Sequence, residues 1–344
     1  MPMKLLIYVP LLSPRIKYIF SFIFIDVLKI EIDFTVNPEE FSQSPLPKLS
    51  YAKQPIGSEL FFKSTNLLFE HKIKAQQIKK TKFGEMKVPF SVADGSLPFD
   101  IFAAAFFFLS RYEEYTHNER QNTTAFTFKD SLQYRMHLLK LPVIDNWAMI
   151  LKNLVLKQYP NLTFGSKQFA FQPVYIAYPS NNKGILSKTV KAIKTFIDTR
   201  LKSKSYKITG IKGIITEMQR YDSIKNPNLS IPETSTDHHY MAELRIPKSY
   251  IKLGKLRGRN DYSMYYPGHP GFRAGTCTPF FWYDLQMEKK TRLLLHPVVL
   301  ADIDLLKNKT TEALLLQMNE LISSVKLVNG DFYFLSLCDD IRPQ

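Results

Sequence analysis

The sequence predicts an α/β protein of two domains, and three observations carry that expectation. Its 344 residues exceed the size of one ordinary domain. Apolar residues make up 45% of it, enough for a sizeable core and too many for wholesale disorder. Short apolar runs alternate with helical patterns from the start, with no repeat of fixed period and no low-complexity segment.

Lys4–Val9 (KLLIYV) reads as a buried strand before Pro10. Ser13–Leu28 reads as a helix, with Ser13 able to cap it and Pro14 suited to its first position. Glu31–Val36 alternates like a strand. Asn37–Ser58 holds Pro38, Pro45, Pro47 and Pro55 and predicts a loop. Leu60–Phe62 and Leu67–His71 suggest a hairpin or short meander. Leu97–Tyr115 predicts a buried helix capped by Asp100, apolar on every face over Ala103–Leu109, which emerges into a charged end at Arg111–Glu114. Leu141–Leu156 predicts another helix, with Asp145 near its start and Trp147 on its apolar face. A strand at Phe164–Phe171 ends this half, so the expected domains are 1–172 and 173–344.

Lys and Arg number 46 against 31 Asp and Glu, a net charge of +15. Such an excess favours anionic partners (nucleic acid, an acidic glycan or a lipid surface) or a lysine-rich solvated face. Lys183–Lys212 alone holds nine basic residues and one acid, Asp198, hence +8 of that charge. Within it Ile185–Leu201 could form an amphipathic helix, but no aromatic residues interleave the lysines on its polar face, so no specific nucleic-acid binding is expected. Two cysteines, Cys277 and Cys338, rule out a disulfide framework and a CxxC pair, and predict a reducing, cytoplasmic setting. The N-terminal apolar runs are too short to span a membrane, and no small-residue cleavage site follows them.

Five phrases, taken in order, resemble one family: KLLIYVP at the start, SELFF at Ser58–Phe62, FFFLSRYEEY at Phe106–Tyr115, LPVIDNWA at Leu141–Ala148, and DYSMYYPGHPGFRAGTCTPFFWYDL at Asp261–Leu285. Together they look like a group of bacterial polysaccharide deacetylases in which an α/β N-terminal domain precedes a NodB-type catalytic barrel. The resemblance implies an N-terminal α/β domain followed by a distorted (β/α) barrel. It implies hydrolysis of N- or O-acetyl groups on a polysaccharide or oligosaccharide. It implies a divalent metal such as zinc that polarises the carbonyl and activates water. One Asp would act as base, another Asp and two His would hold the metal, and a late His would protonate the leaving group. Arg273 matches the arginine that orients the base, and Asp302 matches the acidic residue that pairs with the histidine acid.

The chain departs from that pattern at each catalytic position. The first motif should resemble P-T-Y-D-I-D-x-A-Y, and here Pro173–Tyr178 reads PVYIAY, without either carboxylate. No histidine lies between Tyr178 and Asp237, where the metal-binding histidines belong. The closing L-W-H-N is replaced by Leu335–Cys338, with Leu337 at the histidine. At about 30 residues per strand–helix unit, residues 173–344 leave room for five or six units, a shortened barrel. Asp237, His238 and His239 form the one local cluster with ligand chemistry; His269, His296 and Cys338 stand alone. The expectation is therefore a degenerate homologue, inactive or strongly impaired, with no bound metal. It would pair Arg273 with Asp302 and keep a sugar-binding surface of Tyr262, Tyr265, Tyr266, Phe272 and Trp282. An active metal-dependent hydrolase that recruits Asp237, His239 or His269, and a non-catalytic interaction protein with a basic surface, are the alternatives. Oligomeric state is open.

Overall fold

The computed structural model describes residues 4–120, 126–177, 238–239, 244–255, 259–301 and 311–338. Helices and sheets are mixed throughout, an α/β arrangement. Strands β1 (Leu5–Tyr8), β2 (Ile32–Thr35), β3 (Lys48–Ala52) and β4 (Leu60–Lys63) form a parallel sheet in the order β2-β1-β3-β4. Register pairs Leu5 with Ile32, Ile7 with Leu49, and Leu49 with Leu60. Helix α1 (Pro14–Phe20) begins as its sequence dictates: the Ile16 N–H donates to the Ser13 hydroxyl at 3.1 Å, and Pro14 occupies the first turn. It runs on as a π-helical segment over Ser21–Val27.

The stretch Asn37–Ser58 is not a plain loop. Asn37 caps a short helix, α2 (Pro38–Gln43), by accepting from the Glu39 N–H at 2.9 Å, and β3 lies in the same stretch. The hairpin is formed by β5 (Lys80–Phe83) and β6 (Met86–Pro89), turning at Gly84 with φ +57, while Leu67–Phe69 is a 3₁₀ turn. The long helix expected over Leu97–Tyr115 is two: α3 (Ile101–Leu109), buried on every face, and α4 (Tyr112–Arg120). Asp100 caps α3, accepting from the Ala103 N–H at 2.9 Å. The break falls at Arg111, whose φ of +56 is left-handed and unusual for a residue with a side chain. Helices α5 (Leu132–Arg135) and α6 (Val143–Gln158) complete this half.

The strand expected at Phe164–Phe171 instead runs over Ala170–Ala177 (β7), across the expected boundary. Then come β8 (His238–His239), α7 (Lys248–Lys255), β9 (Asn260–Asp261), β10 (Phe280–Asp284), β11 (Lys289–Leu295), β12 (Val298–Ala301), α8 (Thr311–Leu327) and β13 (Asp331–Cys338). They make one mixed sheet, β10-β11-β9-β8, and one parallel sheet, β12-β13-β7. Pro173 lies inside β7 opposite Phe334, which an outer strand tolerates because only one side needs its N–H. Among the described residues these sheets do not close into a barrel.

The apolar core crosses the middle of the chain. Tyr18 packs on Tyr283 with ring centroids 4.7 Å apart, Phe106 on Tyr283 at 5.3 Å, and Phe22 on Phe280 at 6.1 Å. An ion pair joins buried Arg15 to half-buried Glu288 at the turn between β10 and β11. The β10–β11 hairpin thus belongs to the same core as α1 and α3. No helix among the described residues is long and apolar enough to cross a membrane.

Candidate functional site

The loop GFRAGTCTP is stitched to the segment between α4 and α6. Gly271 has φ +147, and a Cβ there would stand 2.5 Å from the Leu139 carbonyl oxygen, so only glycine fits. The Phe272 N–H donates to the Leu139 carbonyl at 2.8 Å, and Gln133 Nε2 donates to the Phe272 carbonyl at 2.9 Å. The Ile144 N–H donates to the Gly275 carbonyl at 2.8 Å. These bonds hold the Arg273 side chain against the start of α4.

Arg273 is buried, and its carboxylate partner among the described residues is Glu114. Its Nε donates to Glu114 Oε1 at 3.0 Å and its Nη2 to Glu114 Oε2 at 2.7 Å, a bidentate fork. Its Nη1 donates to the Tyr265 carbonyl at 2.9 Å, and the guanidinium lies 4.6 Å over the Tyr266 ring. Asp302 and Asp304 lie outside the described residues. Glu114 is shared with a second buried arginine: Arg111 Nε donates to Glu114 Oε1 at 2.8 Å. Arg111 also donates to Gln133 Oε1 at 2.9 Å, to the Tyr266 hydroxyl at 2.8 Å, to Glu113 at 3.2 Å and to the Arg273 carbonyl. Two arginines and two glutamates balance one another inside the protein. Burial alone would raise the Glu114 carboxyl, but the Arg273 and Arg111 guanidiniums outweigh it and hold it below its ordinary value. This network also explains the helix break: the positive φ turns the Arg111 side chain into it.

The five aromatic residues expected to bind sugar do not share one surface. Tyr266 lies inside the arginine network. Phe272 is fully buried beneath α8, with Met318 and Leu321 in the same cluster. Trp282 is buried against Tyr250, with ring centroids 5.5 Å apart. Tyr262 is half-buried and stacks on His296 at 4.4 Å. Tyr265, the fifth aromatic of that set, is buried against the parallel sheet, where Val298, Ala301, Tyr333 and Leu335 share its cluster.

His296 is the histidine that geometry singles out. Its Nδ1 lies 3.1 Å from the Tyr333 hydroxyl and its Nε2 2.9 Å from Asn260 Oδ1, and its N–H donates to the Asp261 carbonyl at 2.8 Å. The Asn260 oxygen suits a proton on Nε2, while the Tyr333 hydroxyl can either donate to Nδ1 or accept from it. Beside it Asp261 is buried. It accepts from the Ser263 N–H at 3.1 Å, the Ser263 hydroxyl at 2.7 Å and the Tyr250 hydroxyl at 3.1 Å. Burial pushes its carboxyl up to about 6, against the pull of those bonds and of Arg273. Asp237 lies outside the described residues, as does Lys183–Lys212; His238 and His239 are described only as backbone. His269 is exposed. Among the described residues no three His, Cys, Asp or Glu side chains converge as metal ligands.

Sequence reasoning missed Glu114 and Asp145. The signal for Glu114 was present: an all-apolar helix running into R-Y-E-E without a turn former buries those charges. Asp145, near the start of α6, accepts from the Thr276 hydroxyl at 2.6 Å, the Cys277 N–H at 3.1 Å and the Thr278 hydroxyl at 2.6 Å. FFFLSRYEEY and LPVIDNWA therefore grip the two ends of GFRAGTCT. Residues 5–160 match the model of a family of unknown function (DUF7033), and neither a curated protein nor a solved structure matches the chain.

Proposed function

We propose that the chain is a degenerate polysaccharide-deacetylase homologue, inactive or strongly impaired as a hydrolase, whose partner is a polysaccharide or oligosaccharide. The observation that carries this reading is the commitment of Arg273. An arginine that orients a catalytic base must offer its fork to that base, and here both fork nitrogens are on Glu114 and the third is on the Tyr265 carbonyl. The sequence supports the same reading, with Leu337 where the histidine acid belongs and no carboxylate pair after Tyr175. A shortened (β/α) barrel agrees with the parallel β12-β13-β7 layer, which packs Phe332 and Phe334 against α8 on one face and sets Tyr333 and Leu335 on the other.

The test is acetate release from acetylated chitooligosaccharides and acetylated xylan, with and without added zinc. Release at background in every condition is expected, because general acid–base help of about 10²–10⁴-fold and the metal route are both missing. Zinc-stimulated release that disappears in Arg273→Ala, with an unchanged melting temperature, would make the chain an active hydrolase with a rebuilt site.

A further inference from the structure

A groove of about 1040 Å³ lies between α7 and β11, and it shares no residue with the Arg273 network. Tyr250, Trp282 and Leu293 lie at its base, all buried. Lys255, Arg259, Lys289, Lys290 and Arg292 line it, all exposed. Among the described residues strand β11 is joined to β9 through Leu294 and Leu295, and Lys289–Leu293 borders the groove. The one acid in the lining, Asp284, is buried and already accepts from the Gln286 and Met287 N–H groups at 2.9 and 3.2 Å. Among the described residues none of the five cations has a carboxylate within salt-bridge reach. Five positive charges around one concavity repel one another and raise the local potential for an anion.

We infer that this groove binds an acidic oligosaccharide, a linear chain carrying several carboxylates. Two guanidinium forks, Arg259 and Arg292, match planar carboxylates bidentately, and the three lysines act as point charges along the same chain. Cations spread along an open groove suit charges spaced along a polymer better than a single small anion. Single-stranded nucleic acid is disfavoured because Tyr250 and Trp282 are buried and leave no ring face on which a base could stack. The inference is independent of whether the deacetylase reading holds, since it uses neither Arg273 and its partners nor the altered catalytic positions, and shares with that reading only the buried Trp282.

The experiment titrates the full chain with a short oligogalacturonide, with neutral chitohexaose, with inorganic phosphate and with a single-stranded DNA oligomer of equal charge. Oligogalacturonide should bind tightest, and its affinity should fall steeply with salt. The double variant Lys289→Glu, Arg292→Glu should lose at least about tenfold in that affinity with an unchanged melting temperature, because both side chains are exposed. Lys80→Glu, Lys82→Glu on the β5–β6 hairpin makes the same change in net charge at exposed residues outside the groove lining and should leave binding within about twofold. Equal loss in both variants would assign the effect to overall charge and overturn the site. Tighter binding of the DNA oligomer, binding of phosphate as tight as that of oligogalacturonide, or binding of oligogalacturonide no tighter than that of chitohexaose would each overturn the ligand class.

Discussion

Arg273 and Cys277 stand four residues apart in one loop, and a carboxylate of the N-terminal half holds each end of it. At Arg273 the carboxylate is Glu114, shared between two buried guanidiniums. At Cys277 it is Asp145, which receives two hydroxyls and one backbone N–H. The first anchor is ionic and its charges cancel locally. The second is polar, with a lysine at one remove: Lys167 Nζ donates to the Thr278 hydroxyl at 3.0 Å, and burial lowers its pKa. The difference decides what removal leaves behind. Breaking the first strands a buried charge, while breaking the second strands only neutral donors, which cost less.

The largest effect should therefore come from Glu114. Glu114→Gln leaves Glu113 as the one carboxylate for two buried guanidiniums, with Arg273 unpaired, and should cost about 3–5 kcal/mol. Arg273→Ala should cost less, because Glu114 keeps the Arg111 Nε bond at 2.8 Å. Urea denaturation of the two variants checks the order. If Arg273→Ala proves the more destabilising, Arg111 does not compensate Glu114 and the shared-carboxylate description fails.

A second effect separates Glu114 from Asp261 by pH. The Glu114 pKa is depressed in the folded protein, so its contribution is present above the ordinary glutamate pKa and is lost as pH falls below it. Asp261 is the opposite case, pushed by burial to about 6 from 3.8. The folded state then binds more protons than the unfolded state between those values, so stability falls as pH rises from about 4 to 6 and is flat above. A shift of that size corresponds to roughly 3 kcal/mol. Asp261→Asn can keep the Tyr250 hydroxyl and Ser263 N–H bonds to Oδ1, while the Ser263 hydroxyl turns to accept from the new amide; it should abolish that slope and raise stability at pH 7. Melting curves between pH 4 and 8 read it directly. A slope that survives in Asp261→Asn belongs to another group.

How far the sequence reached depends on the range of the interaction. Ser13 and Asp100 were legible as caps because each acts on an N–H three residues away. The α2 helix could have been read from Asn37-Pro38, a cap and first-turn pair, but four prolines within Asn37–Ser58 weighted that stretch toward a loop. Arg273 was legible as a residue held for a purpose, and its partner was not. Glu114 lies 159 positions away, and no local pattern encodes which carboxylate a buried arginine meets. The basic groove was hidden for the same reason. Lys183–Lys212 dominated the charge count, while Lys255, Arg259 and the Lys289–Arg292 run meet only once α7 packs beside β11.

The smallest of these effects tests the polar anchor. In Asp145→Asn one carboxylate oxygen becomes an amide donor. If the amide replaces Oδ2 it faces the Cys277 N–H, a donor that cannot turn away. If it replaces Oδ1 it faces the Thr278 hydroxyl, which already accepts from Lys167. Either way one hydrogen bond is lost at a buried site, a cost of about 1–3 kcal/mol, below that of Glu114→Gln. The second arrangement is the easier, since a hydroxyl can rotate and a backbone N–H cannot. Thr278→Val removes that hydroxyl, so the penalty of Asp145→Asn should shrink when the two changes are combined. Four denaturation curves complete the cycle. Strict additivity would mean that Asp145 and Thr278 do not act as one anchor, and a cost of Asp145→Asn equal to that of Glu114→Gln would erase the distinction between the ionic and the polar end of the loop.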